Sequence, residues 1–163
     1  MQLVEGRVVE QGMSLAEHDF SDRMIELIKT KFSGYVNLTI QGFDGLEEGT
    51  LIFREGKIIA SGYEYLKYGI SVNGNSAIAQ TFNSAAAENG VFDIISFRPT
   101  DAELTIAVNP KIRLNVDVSA GDIKKLTKTK FNPAYARKVL SMVMKSSSHR
   151  GEIMKKLGLG EMG

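Results

Sequence analysis

The chain has 163 residues, 43% of them hydrophobic and 24% charged, enough apolar surface for one folded domain. No run of about 18 uncharged apolar residues is present, which excludes a transmembrane helix, and zero cysteines exclude disulfides, zinc ribbons, iron–sulfur clusters and a cysteine nucleophile. The formal net charge of +1 conceals an asymmetry: residues 1–120 hold 10 basic and 16 acidic side chains, residues 121–163 hold 10 and 3.

The opening stretch, MQLVEGRVVEQG, carries acids at Glu5 and Glu10 and has no apolar core followed by a small-residue cleavage site. No signal peptide is therefore expected, and a cytoplasmic location follows by elimination. Ser14-Leu15-Ala16-Glu17 fits a capping box, and Asp19-Phe20-Ser21-Asp22 offers a second set of helix-start residues. Met24, Leu27 and Ile28 recur at helical spacing, which predicts a helix over roughly 21–31, stopped by Phe32-Ser33-Gly34.

From Tyr35 the period changes to 2. Val36, Leu38 and Ile40 alternate with Tyr35, Asn37 and Thr39, as in a half-buried strand. Gln41 to Gly45 reads as a glycine-bearing loop. Thr50–Arg54 and Lys57–Glu64 are the next two strands, with Glu55-Gly56 between them. Ser71 to Ser76 reads as a turn. Ala77–Glu88 is a predicted helix with Ile78, Phe82, Ala85 and Ala86 on one face, and Asn89-Gly90 supplies a left-handed cap. Val91–Phe97 is a strand ended by Arg98-Pro99.

Residues 101–108 are open between two readings. Thr100-x-x-Glu103 fits a capping box, whereas Thr105, Ile106 and Val108 suit a strand. Ile112–Val118 alternates as a last strand or extended arm. Beyond Gly121 the pattern is helical: Asn132 and Pro133 begin a helix whose face carries Ala136, Val139, Leu140, Val143 and Met144. Ser146-Ser147-Ser148 breaks it, and a short final helix is expected to Leu157, with Gly158 at its cap. The order predicts an α+β fold: a mostly antiparallel sheet with a β-hairpin core packed by helices, over residues 1–120, and a basic helical extension over 121–163.

Gly49 to Lys57 invites a phosphate-loop reading, which the spacing rejects. A P-loop needs G-x-x-x-x-G-K-[ST]; here six residues separate Gly49 from Gly56, and Ile58 follows Lys57. A tight hairpin turn with Gly56 at positive φ is the expectation. His18 and His149 show no metal spacing, the adjacent acids Glu47 and Glu48 point apart, and no serine sits in a G-x-S-x-G elbow. No catalytic residue, metal or cofactor is expected, and the protein is not expected to be an enzyme.

Residues 32–97 carry a recognisable pattern. It opens with Phe32-Ser33-Gly34-Tyr35-Val36 and continues with the Gly49–Ala60 hairpin GTLIFREGKIIA. A helix with small residues follows, then Gly90-Val91-Phe92-Asp93-Ile94. This stretch resembles the PATAN-type regulatory domain. The whole chain, including the Glu152–Leu159 ending EIMKKLGL, is similar to an archaeal family of unknown function carrying that core. The resemblance implies a non-catalytic interaction domain and supplies no catalytic residues.

The expected function is thus an adaptor or regulatory module that binds a protein partner or forms a homodimer, with no membrane involvement. Its expected surface combines Phe53, Ile59 and Tyr63 with Val139, Leu140, Val143 and Met144. The alternative is nucleic-acid binding through the basic tail, Lys124, Lys125, Lys128 and Lys130 followed by Arg137, Lys138, Lys145, Arg150, Lys155 and Lys156. A weaker one is an apolar small ligand held between sheet and helix.

Overall fold

The computed structural model describes residues 1–42 and 44–146. It has the expected α+β architecture, a seven-stranded sheet that is antiparallel at every pairing and carries helices on both faces. In chain order the elements are β1 (Arg7–Ser14), α1 (Phe20–Lys29), β2 (Gly34–Gly42), β3 (Gly45–Arg54), β4 (Lys57–Tyr65) and β5 (Ile70–Asn73). Then come α2 (Asn75–Ser84), β6 (Gly90–Ser96), α3 (Pro99–Val108), a 3-10 turn at Pro110–Ile112, β7 (Arg113–Val118), α4 (Ala120–Leu126) and α5 (Pro133–Ser146). The strand order is β1-β6-β2-β3-β4-β5, and β7 pairs with β4 beside β5.

Strand parity sorts the interior into layers. Val36, Leu38, Ile40, Leu51, Phe53, Ile58, Phe92 and Ile94 face one way, against Phe20, Met24 and Leu27 of α1, Ile78 and Phe82 of α2, and Ile123 of α4. Ile52, Ile59 and Ala60 face the other way, against Ala102 and Ile106 of α3 and Ile112. A third cluster sets Tyr63, Tyr65, Tyr68, Ile70 and Val72 against Ala77 of α2 and Val139 and Leu140 of α5. β3 is buried on both sides, so its Thr50–Phe53 segment reads as a continuous buried run.

Helix starts follow local chemistry. Asp19 caps α1, its Oδ1 accepting from Asp22 N at 2.9 Å, while Ser14, the other candidate cap, lies at the end of β1. Residues 101–108 are helical. The start is set two residues before the expected box: Pro99 occupies the first turn and Asp101 accepts from Arg98 N at 3.0 Å. The β-branched residues fit because Ile106 packs inward and Thr105 Oγ1 donates to Asp101 O at 2.8 Å. Glu103 then ties α3 to the sheet through ion pairs with Arg54 and Arg113.

Four expectations are corrected. Residues 7–14, for which no element is predicted, form β1, and Ile70–Asn73 is a strand where a turn over residues 71–76 is expected. The loop expected at residues 41–45 is shorter, since β2 runs to Gly42, which pairs with Gly45 at the start of β3. α2 ends at Ser84 rather than near Glu88; Ala85 is right-handed, and Gly90 is already the first residue of β6.

The basic extension is bound into the body from its first helix. Ile123 is fully buried in the main core. Asn83 and Asn132 form a reciprocal pair, Asn83 Nδ2 donating to Asn132 O and Asn132 N to Asn83 Oδ1, each at 3.1 Å. Asn132 Oδ1 accepts from Ala134 N at 3.0 Å, as a cap for α5. The expected helix to Leu157, the Gly158 cap and His149 lie outside the described residues.

Candidate functional site

Gly56 and its neighbours belong to the framework, not to a ligand site. Glu55 and Gly56 both take positive φ, 47° and 78°, as a two-residue primed hairpin turn requires. The turn is fastened to the end of α1: Gly56 N donates to Phe32 O at 2.9 Å and Glu55 N to Ser33 Oγ at 2.8 Å. The Phe32-Ser33-Gly34 element and the Glu55-Gly56 turn are two halves of one lock.

The residues expected to form an interaction surface are interior. Phe53 and Ile59 are buried on opposite sides of the sheet, and Tyr63, Val139 and Leu140 meet in the third cluster. They form no shared exposed face in the single chain. The side chains of Val143 and Met144 lie outside the described residues. Tyr63 has a polar task as well. Its hydroxyl donates to the buried Glu47 carboxylate at 2.7 Å and meets Ser84 Oγ at 2.5 Å, and burial pushes its pKa well above the usual phenol range.

What the sheet leaves partly exposed is the part of its α3 face beyond that helix. α3 covers the end of the sheet near Tyr35, Ile52 and Ala60, and two cross-strand rows lie beyond it, partly exposed except at the buried Thr50 and Gly62. In one, Val91, Thr39, Glu48, Glu64 and Ser71 stand in register from β6 to β5. In the next, Asp93, Asn37, Thr50, Gly62 and Asn73 do the same. A cleft of about 420 Å³ opens over this floor, walled by Val108–Ile112 and by Met1 and Leu3. The outer side of α3 beside it carries exposed Leu104 and Val108.

The floor is acidic. Glu48 and Glu64 are directly opposed across β3 and β4, an unfavourable like-charge pairing. Burial first, then Glu64 and more weakly Asp93, hold the Glu48 carboxyl above its usual range, with the Met1 amino group pulling the other way. Burial and the Asp93 charge also raise the Tyr35 phenol. None of Glu48, Glu64 and Asp93 takes part in an ion pair among the described residues. Thr50 Oγ1 donates to Asn37 Oδ1 at 2.8 Å, and Asp93 Oδ1 accepts from Gly12 N at 2.7 Å.

Because ionised Glu48 opposes folding, Glu48→Gln is expected to stabilise the chain at pH 7 by a few tenths of a kcal/mol, the low end for an opposed, partly solvated pair. The folded pKa lies above the unfolded one, so the gain is full above the folded value and vanishes below about pH 4. Urea unfolding of both chains at neutral and acid pH checks it; a gain that persists in acid would contradict the electrostatic cause.

No three His, Asp or Glu side chains converge as a metal site among the described residues, and no described helix is long and apolar enough to cross a membrane. His18 is exposed beside a separate surface depression of about 610 Å³. A family model described as an uncharacterized protein conserved in archaea (DUF2226) matches residues 1–109. The chain belongs to that family. The matched segment spans β1 to α3 and so contains the cleft floor and its α3 wall, whereas β7, α4 and α5 lie beyond it. No curated protein and no solved structure matches the chain.

Proposed function

We propose that the protein is a non-catalytic interaction module that binds a partner protein across the open half of its sheet. One observation carries the reading. Two cross-strand rows lie beyond the reach of α3, with three carboxylates that take part in no ion pair among the described residues and an apolar helix flank beside them. An exposed apolar flank next to a charged floor has the composition of a partner surface. The likeness of residues 32–97 to PATAN-type regulatory domains supports the same reading, as does the placement of the floor inside the family segment.

Affinity capture on immobilised chain, read by mass spectrometry, tests it with the intact protein, a Glu48→Lys/Glu64→Lys variant and a Glu17→Lys control on the exposed surface. A partner retained by the intact and control chains and lost more than tenfold with the floor variant is expected. A capture profile indifferent to the floor charges would overturn the proposal. Light scattering on the same samples reads self-association, the case in which the partner is a second copy.

A second reading rests on Lys128 and Lys130, which line a separate depression of about 530 Å³ with Phe131 and Asn132. Such a cluster suits a polyanion, and binding to nucleic acid through it would weaken steeply with salt. A mobility-shift series that shows no complex at low salt removes this alternative.

A further inference from the structure

The chemistry of the partner can be read from what already sits in the cleft. Residues 1–3 cross its wall, held by the side chain of Asn109 at the end of α3. Gln2 N donates to Asn109 Oδ1 at 3.3 Å, and Asn109 Nδ2 donates back to Gln2 O at 2.6 Å. Asn109 is itself steadied by Nδ2 donating to Thr105 O at 2.9 Å. One side-chain amide therefore grips the N–H and the carbonyl of the same residue. That contact recognises a peptide backbone, whatever side chain the residue carries.

The Met1 side chain lies on Gly62, the one residue of its row without a side chain. A Cβ added there would collide with Met1 Cε and would stand 3.7 Å from Ile112 Cγ2. The glycine thus makes a slot in the floor, sized for a flexible apolar side chain and bordered by Ile112. Glu64 and Glu48 stand in the neighbouring row. Lys111 is the one side-chain cation lining the cleft among the described residues. The segment is lightly held at its start, where Met1 is 48% exposed and Gln2 is exposed, and no strand pairing includes residues 1–6. Leu3 is its apolar anchor, packed against the cluster of Ile52, Ala102 and Ile106.

Resting on the interaction reading above, we propose that residues 1–3 are a displaceable strap. The segment that replaces them is an extended peptide carrying an apolar side chain for the Gly62 slot beside a lysine or arginine for Glu48 and Glu64. The strap shows how the slot and the Asn109 amide accept a peptide. Its one cation, the Met1 amino group, acts on Glu48 without forming an ion pair among the described residues, so a lysine or arginine side chain is the complement the two opposed carboxylates lack. A polyanion is repelled from this floor, which separates it from the lysine-lined depression. Competition by the strap lowers the apparent affinity in proportion to the fraction of molecules whose cleft is open.

Fluorescence anisotropy on the full chain tests this at low salt. The probes are two labelled, end-blocked hexapeptides of sequence Gly-Lys-Met-Lys-Ser-Gly and Gly-Glu-Met-Glu-Ser-Gly. Leu3→Asp releases the strap by replacing its apolar anchor with an acid, and Gln2→Pro removes the N–H whose hydrogen bond Asn109 Oδ1 accepts, a second route should the first perturb folding. The lysine peptide is expected to bind both variants roughly tenfold more tightly than the intact chain, and Gly62→Val added to either is expected to abolish the gain. The glutamate peptide is expected not to bind. Equal affinity of intact and strap-released chains, equal binding of the two peptides, or indifference to Gly62→Val would each overturn the inference. The broader reading fails separately: partner capture that still depends on Glu48 and Glu64 keeps the open sheet as an interaction surface even when the strap has no effect.

Discussion

Gly56→Val is expected to destabilise the fold by on the order of 4 kcal/mol, a large share of the stability of a domain this size. Two costs combine. Gly56 sits at φ 78°, where a β-branched L-residue is strained. A Cβ there would also strike Ile28 O and stand 2.9 Å from Lys31 Cα, both backbone atoms at the end of α1 that cannot swing aside. Relief would require withdrawing the turn from α1, and that breaks the bonds from Gly56 N to Phe32 O and from Glu55 N to Ser33 Oγ. Gly69→Ala is the internal control. Gly69 has φ 60°, but nothing lies within 4 Å of an added Cβ, so a loss of about 1 kcal/mol is expected there. Chemical denaturation of the two variants measures the difference. Equal losses would mean that the close approach to α1 contributes nothing.

Phe53→Ala carries the second large effect, an expected loss of about 3–5 kcal/mol. The ring is fully buried between β2, β4 and α1, edge-on to Phe32 at 5.6 Å. Neighbours drawn from a sheet and a helix cannot collapse fully into the space left behind. If Phe53 were instead part of an exposed binding face, the substitution would weaken partner capture and leave the unfolding midpoint nearly unchanged. The measured pair, midpoint and capture, separates the two roles. Interior position predicts a large shift in the first, with capture intact in whatever fraction stays folded.

How much could be read in advance varies with how local each signal is. The Glu55-Gly56 hairpin, the Asp19 start of α1 and the Asn132-Pro133 start of α5 were legible because turns and caps are written within four or five residues. β1 was not. It is an edge strand with two register shifts, exposed along most of its length, and such a strand presents no alternating apolar face. β5 has two buried apolar residues, Ile70 and Val72, too few for a period. In α3, local propensity was divided between strand and helix, and the packing of Ala102 and Ile106 onto Ile52, Ile59 and Ala60 favours the helix.

The candidate site was the least legible part, and the reason lies in one residue. A two-residue turn with Arg54 opposite Lys57 sets a register in which Glu48 would face Tyr63. A bulge between Ile52 and Phe53 adds Ile59 to β4, shifts the pairing by one, and brings Glu48 opposite Glu64. The reading of Glu47 and Glu48 as pointing apart agrees with their placement: Glu47 goes inward to Tyr63, and Glu48 faces the open floor.

The sequence by itself determined the α+β class, the central hairpin and most helix starts, because periodicity and capping are properties of neighbouring residues. It also determined that Phe53 and Ile52 face opposite ways. Only the tertiary structure decided which of those faces would be covered, because parity assigns residues to sides without saying what packs there. Phe53, Ile59 and Tyr63 became interior when α1, α2 and α3 closed over them. Glu48, Glu64 and Asp93, distant along the chain, became one floor because strand register aligned them and α3 is too short to cover the whole sheet.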